Sequence, residues 1–230
     1  MVSQAVFIGD THVDDVRFTF REIKLRLPPL TLIIGGASSG KSAFAERLVL
    51  QSGLSRVYIA TAEAHDLEME AKIARHRARR LGQGWRTVEA PLDLELPLSR
   101  IQSGEIALVD CVTFWLTNQM LDDADVEEEV DVLLATLGAM TRPVVMVTND
   151  VSGGIVPDNA MARAFRSFQG RLNQRLAARA DLVVFVTAGL PQILKGEPPA
   201  VSDATGGEHE DGSPAEDAFD AQARSGQRFW

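Results

Sequence analysis

A single cysteine, Cys111, occurs in the 230 residues, so an internal disulfide framework is ruled out and the chain suits a reducing compartment. Cys111 lies in an apolar run, where a buried and inert thiol is the expected state. No stretch approaches the 18 apolar residues of a membrane span, and the N-terminus has neither the charged nor the apolar region of a secretory signal. Stable membrane insertion is therefore not expected, and a soluble, cytoplasmic protein is. Positive charge is scarce as well. The formal net charge is −9, and residues 196–230 hold eight acids against Arg224 and Arg228, a balance of −6 that leaves −3 for the body. Such totals make no extended basic surface, which excludes nucleic acid as an expected partner.

What the chain does have is enough apolar material for a full core: 45% of residues are hydrophobic and 24% charged, as in one α/β domain with some excess. Short apolar runs recur and each ends in polar residues. They cover Leu30 to Ile34, Arg56 to Ala60, Ile106 to Val109, Val144 to Val147 and Leu182 to Val186. Their hydrophobicity is continuous rather than alternating, and the segments between them have helical period. This pattern predicts five parallel strands covered by helices on both faces, with ligands collecting beyond the carboxyl ends of the strands. Pro157 to Ala180 reads as a helix with Met161, Phe165, Phe168, Leu172 and Leu176 on its core face, and Val126 to Leu137 as a second, with acids 127–129 in its first turn. Residues 29–195 form the domain in this reading. Residues 1–28 read either as an added edge strand or as an upstream start. Residues 196–230, rich in Pro, Gly, Ser and acid, are expected to be a disordered tail.

The most informative segment is Gly35-Gly36-Ala37-Ser38-Ser39-Gly40-Lys41-Ser42, which is G-x-x-x-x-G-K-S. At average residue usage such a pattern arises by chance about once per hundred chains of this length, and here it follows a strand and opens a helix, Ser42 to Leu50. Glycines let the backbone curl so that N–H groups converge on phosphate oxygens. Lys41 then reaches the β and γ phosphates, Ser42 ligates Mg²⁺, and the helix N-terminus adds its dipole. In that helix Phe44 and Leu48 lie on one side, Glu46 and Arg47 on the other. Asp110, ending the third apolar run, suits a carboxylate partner of the same Mg²⁺, against the alternative of a turn cap. Glu89 is a weaker candidate of the same kind.

His76 stands apart from His12, His65 and His209, which have no chemical company. It lies in a helix over Leu67 to Arg80, among Lys72, Arg75, Arg77, Arg79 and Arg80, five positive charges in nine residues with no acid. Guanidinium groups fork onto phosphate oxygens and favour a neutral, nucleophilic imidazole beside them. Attack by that nitrogen on an α phosphate would split nucleotidyl transfer into two steps through a phosphoramidate. A helix-packing histidine is the alternative, and position in the sequence leaves both open.

Together these residues resemble the bifunctional adenosylcobinamide kinase and adenosylcobinamide-phosphate guanylyltransferase family, the CobU or CobP type. The resemblance runs from Leu32 to Lys195. It includes the loop, Tyr58-Ile59-Ala60-Thr61, Glu68-Met69, Ile73-Ala74-Arg75-His76-Arg77, Trp85-Arg86-Thr87, Val109-Asp110-Cys111, Trp115-Leu116 with Asn118, Val147-Thr148-Asn149, Gly154-Ile155-Val156-Pro157, Gly170 to Gln174, and Gly189-Leu190-Pro191. It implies a RecA-like phosphate-loop fold assembled as a homotrimer, with ATP and GTP as co-substrates and adenosylcobinamide and its phosphate as the small-molecule acceptors. Members phosphorylate the aminopropanol hydroxyl of adenosylcobinamide. They then take GMP from GTP onto a histidine, releasing pyrophosphate, and pass it to the cobinamide phosphate. Carried onto this chain, His76 is the GMP-accepting residue and Gly35 to Ser42 hold the nucleotide phosphates. Ala60, Thr61, Ala62, Arg77, Ala78, Arg79 and Arg80 match further GTP contacts, and Glu89 and Asp110 match the nucleotide-site carboxylates. Ser38 departs from the usual loop arginine, Asp110 replaces the glutamate of some members, Asp150 follows Asn149 where glutamate is common, and one residue is inserted between Arg80 and Trp85. A monofunctional small-molecule kinase would explain the loop alone, and a RecA-like ATP-driven binding protein would need partner surface the composition does not advertise.

Overall fold

The computed structural model describes residues 24–64 and 66–202. In chain order the elements are β1 (Lys24–Arg26), β2 (Leu30–Gly35), α1 (Lys41–Gln51), β3 (Ser55–Ala60), α2 (Leu67–Arg80), β4 (Trp85–Glu89), α3 (Glu95–Ser99), β5 (Glu105–Asp110), α4 (Val112–Leu121), α5 (Val126–Ala139), β6 (Val144–Asn149), α6 (Ala160–Arg179), β7 (Leu182–Thr187), β8 (Leu190–Lys195) and β9 (Ala200–Ser202). Seven strands form one sheet in the order β4-β3-β5-β6-β2-β7-β8, parallel throughout except for β8. The five apolar runs are its five inner strands, as the continuous hydrophobicity requires. Adjacent residues on β2 show why. Leu30 and Leu32 enter a core shared with Trp115, Leu133 and Leu172, whereas Ile33 enters a second core with Ala45, Leu48 and Val49 of α1. A strand buried on both faces cannot alternate in polarity.

Both edges escaped the sequence reading. β4 and β8 carry exposed and half-buried side chains with no sustained apolar run, and Pro191 within β8 is tolerated because an edge strand has one side without a ladder partner. Two further expectations need correction. α6 starts after Asn159, whose side chain accepts from the N–H groups of Met161 and Ala162, so Pro157 lies in the preceding loop. Its core stripe is likewise buried only towards its end. Leu172 and Leu176 are buried, Phe165 and Phe168 pack half-buried, and Met161 is 56% exposed. Twenty helical residues span about 30 Å and six strand residues about 20 Å, so the first turns overhang the sheet. The expected disordered tail is also shortened: β9, at Ala200–Ser202, pairs antiparallel with β1 in a separate two-stranded ladder. Residues 1–23 of the N-terminal extension and 203–230 of the expected tail lie outside the described residues.

Trp115 anchors the helical side of the sheet. It is 1% exposed, and its indole N–H donates to the Leu92 carbonyl at 2.7 Å. Beside it Gln119 donates to the same carbonyl, and Asn118 donates to the carbonyls of Thr61 and Pro91. Trp115→Ala should lower the stability read from urea unfolding by about 3–5 kcal/mol. Trp115→Phe, which keeps most of the volume and loses the hydrogen bond, should cost clearly less.

Candidate nucleotide and nucleophile site

The loop after β2 is shaped by close approach. A Cβ on Gly35 would stand 2.4 Å from the Val186 carbonyl oxygen and 2.5 Å from Ser39 Oγ, so no larger residue fits without rebuilding the loop. Gly40 has φ +91° and closes against Gly189, whose N–H donates to Ser39 O at 2.8 Å. Ser38 takes a φ of 55°, a left-handed conformation uncommon for serine, at the exposed tip. Lys41 folds back so that Nζ donates to Gly36 O at 3.0 Å. Gly40 caps α1 without a side-chain hydrogen bond, which leaves the start of the helix suited to receive an anion.

Sheet register assembles the next shell. Ala60 at the end of β3 is level with Asp110 on one side and Glu89 on the other. Asp110 Oδ1 accepts from Ser42 Oγ at 3.2 Å, and Oδ2 accepts from the Tyr58 hydroxyl at 3.0 Å. The same Oδ2 lies 3.9 Å from His76 Nδ1. His76 therefore stands at the phosphate loop although 34 positions separate it from Ser42 in the chain. α2, begun by Asp66 accepting from Met69 N–H at 2.7 Å, carries it there, and Arg79 lies 3.3 Å from its Nδ1.

Three residues fix that helix in place. Arg80 is 6% exposed, with its guanidinium carbon 3.4 Å from the centre of the Tyr58 ring. Glu46, one turn along α1 from Ser42, lies 3.5 Å from Arg79 and 3.7 Å from Arg80. It is only 7% exposed, which corrects its expected place beside Arg47 on the polar side of α1. Ligand atoms of Glu46, His76 and Asp110 lie within 4.8 Å of one another. Among the described residues, Nε of Arg80 is buried without a hydrogen-bond partner and Nη1 meets only Glu46, at 3.7 Å and beyond hydrogen-bond reach, a state that a phosphate oxygen would relieve. Burial raises the Glu46 pKa above its ordinary value, with Arg79 the main opposing influence. Burial, then the Asp110 charge, raises Tyr58 well above the usual phenol value and keeps its hydroxyl a donor. Burial pushes the Cys111 thiol up to about 11, in agreement with an inert cysteine.

Not every expected residue converges. Glu89 is exposed and pairs with the exposed Arg77, away from Asp110. Thr61 is buried, and its hydroxyl donates to Cys111 O at 2.7 Å and accepts from Cys111 N at 2.9 Å, a structural exchange that ties β3 to β5. Ala60 and Ala62 are half-buried at the strand end, and Ala78 faces solvent. His12, His65 and His209 lie outside the described residues. Tyr58 and Glu46 were not expected at the site. The only tyrosine of the chain, set inside an apolar strand two residues before its polar end, was a usable signal. Glu46 had none, because its partners come from residues 33 and 34 positions away.

A raised folded pKa means that native Glu46 holds its proton more tightly than the unfolded chain does. Its relative stabilisation is present below pH 4.5 and is lost as pH rises through the higher folded value. Glu46→Gln should therefore melt above the wild type at pH 7, with the difference shrinking towards zero below pH 4.5 in a melting series.

A family model described as "Cobinamide kinase / cobinamide phosphate guanyltransferase" matches residues 31–194. The bifunctional adenosylcobalamin biosynthesis protein CobP of Pseudomonas aeruginosa is 47% identical over 170 residues, covering 73% of this chain and 98% of the relative. The corresponding CobU of Escherichia coli K12 is 41% identical over 182 residues, covering 72% and 99%. Among solved structures, the flagellar accessory protein FlaH of Methanocaldococcus jannaschii aligns with a TM-score of 0.44 at 16% identity, over 76% of this chain and 89% of that one. The ATPase domain of G40P gives 0.45 at 10%, over 79% and 81%. The phosphate loop after an inner strand of a mostly parallel sheet, with helices on both faces, is itself the RecA-like P-loop arrangement. With the family's description matched across the whole of that domain and two relatives covered almost end to end, the chain belongs to the cobinamide kinase and cobinamide phosphate guanylyltransferase (CobU) family.

Proposed function

We propose that this protein phosphorylates adenosylcobinamide from a nucleoside triphosphate and then transfers GMP from GTP to the product through a covalent GMP on His76. The observation that carries the reading is the chain of contacts from Ser42 through Asp110 to His76, at 3.2 Å and 3.9 Å, which brings an imidazole to the loop expected to hold the triphosphate. In the first half of guanylyl transfer an imidazole nitrogen forms the bond to the α phosphorus as the bond to the bridging oxygen breaks, and pyrophosphate leaves. In the second half, an oxygen of the cobinamide phosphate takes the GMP and restores the histidine.

The charges around His76 suit both halves. A guanidinium only donates hydrogen bonds, so the Arg79 contact uses the Nδ1 lone pair, whereas the Asp110 contact needs a proton there. Phosphate oxygens drawing the arginines away would leave Asp110 as partner of Nδ1–H and Nε2 as the nitrogen with the lone pair. Arg80, buried beside Glu46 with Nε and Nη1 outside hydrogen-bond reach of any described residue, is a second cation for the same phosphates. Ser42 Oγ and the Asp110 carboxylate are hard oxygen donors in mutual contact and fit Mg²⁺. Glu46 fits it less well, because two arginines already supply its positive charge. Bound there, Mg²⁺ would neutralise charge on the phosphate oxygens. Lys41 would exchange the Gly36 carbonyl for the β and γ phosphates. ATP and GTP are the co-substrates in this reading, and a homotrimer is the expected assembly.

Wild-type protein incubated with magnesium and α-labelled GTP should gain the mass of GMP in an acid-labile, alkali-stable adduct, and His76→Ala should gain none. An adduct that survives this substitution would move the nucleophile elsewhere. Lys41→Ala should slow both partial reactions at least about a hundredfold, because one loop serves both. Light scattering that returned a monomer at working concentration would remove the trimer from the proposal.

A further inference from the structure

On the other side of the phosphate loop from His76, the end of β6 opens into a cavity of about 390 Å³. Its walls include Asp150, Ser152, Val156, Arg163, Ser167 and Asn173, none of them assigned to the nucleotide. It adjoins the loop directly. Gly35 is level with Asn149, and the Asp150 N–H donates to Gly35 O at 3.1 Å. Asp150 uses one carboxylate oxygen to accept from Ser152 N–H at 2.9 Å, which leaves further acceptor capacity on that side chain.

The rim of this cavity is held in place and is apolar. Arg166 donates to the carbonyls of Ser152 and Ile155, and Arg163 donates to those of Pro157, at 2.9 Å, and Asp158. These bonds fix the loop between β6 and α6 from the side of the helix. They also keep Ile155 95% and Val156 67% exposed, with Met161 in the next turn of chain 56% exposed. A loop free to rearrange would gain by turning such side chains inward. One tied outward beside a cavity gains instead when an apolar ligand covers it.

Resting on the kinase and guanylyltransferase reading, we propose that this cavity is the acceptor subsite: it takes the hydroxyl-bearing arm of the corrinoid, while Ile155 and Val156 receive an apolar face of the macrocycle. The volume is at the small end of ligand cavities, which run from about 300 to 1,000 Å³, so it suits the arm rather than the ring. An alcohol donates to the Asp150 carboxylate, and the phosphate that replaces it meets Arg163. The same cavity thus takes the acceptor of the kinase reaction and that of the second half of guanylyl transfer. Continuity with the loop through Asp150 favours this occupant over a second copy of the chain.

The test uses the full-length protein carrying Ile155→Asp and Val156→Asp, with adenosylcobinamide as the varied substrate at saturating nucleotide. The expected result is an acceptor KM raised about ten- to a hundredfold with kcat changed less than about twofold, the mark of lost ground-state binding. Labelling of His76 by GTP, which needs no acceptor, should stay at the wild-type level and so reports the fold. Ile155→Ser, at the most exposed of these positions, repeats the test with the least demand on folding and should raise KM about threefold. An unchanged KM in a protein that still labels overturns the inference alone. An unchanged KM with an altered sedimentation profile does so too, by assigning the rim to contacts between copies. A wild-type protein that neither labels nor phosphorylates adenosylcobinamide overturns the inference together with the reading beneath it.

Discussion

The guanidinium of Arg80 over the ring of Tyr58 is the contact on which the site depends. α2 has little else to hold it. Most of its described residues face water, and only Met69, Ile73, His76 and Arg80 turn inward. An amphipathic helix usually docks by an apolar stripe. This one docks by a stacked cation, with Glu46 beneath it and the Asp110 carboxylate accepting from the hydroxyl of the same tyrosine. The fixings that orient His76 are thus the polar groups that a triphosphate would engage. In the proposed reaction, binding of the triphosphate and positioning of His76 would be coupled through shared side chains rather than through a rigid scaffold.

That arrangement costs stability. Buried side-chain atoms without a hydrogen-bond partner among the described residues include Ser39 Oγ, two nitrogens of Arg80 and Asn149 Oδ1, all near the loop. Each such atom is unfavourable where water is excluded. Glu46 adds a carboxylate that burial pushes towards its neutral form. The inner strands around them are densely apolar, with Ile33, Ile59, Val109 and Val147 at 0% exposure. Other unpartnered atoms lie elsewhere, Thr31 Oγ1 and Arg56 Nε near the starts of β2 and β3 and Gln169 Oε1 in α6, and the apolar sheet supplies the stability that tolerates them all, as a fold does that keeps polar groups for a binding site.

Legibility in the sequence followed the range of the interactions. β2 and its loop were readable because the strand, the glycines and the lysine are contiguous and local chemistry dictates each. The inner strands were readable because burial on both faces leaves an unbroken apolar run. β4 and β8 were not, because an edge strand obeys its neighbours more than its own composition. β1 and β9 each contribute only three residues and depend on pairing across more than 170 positions. In the site, the arginines around His76 announced an anion. Nothing local announced that Glu46 would be buried, since its helical spacing suits a solvated face until α2 arrives. Resemblance to a family supplied the proposed role of His76, which charge pattern alone left undecided.

The two faces of the sheet give the proposed chemistry a spatial logic. α1 and Tyr58 belong to one core and the later part of α6 to the other, so His76 approaches the loop from the α1 face and the cavity beneath α6 from the opposite one. A triphosphate lying across the strand ends would be open to a nucleophile from each side. Attack at the α phosphorus by an imidazole and at the γ phosphorus by an alcohol then need no exchange of sites. They need two approaches that do not obstruct each other, and the sheet separates them. The carboxylates follow the same division, with Asp110 on β5 turned to Tyr58 and His76 and Asp150, one residue past β6, on the wall of the cavity. A single phosphate loop can serve two reactions on such a sheet because what distinguishes them is the face from which the nucleophile comes.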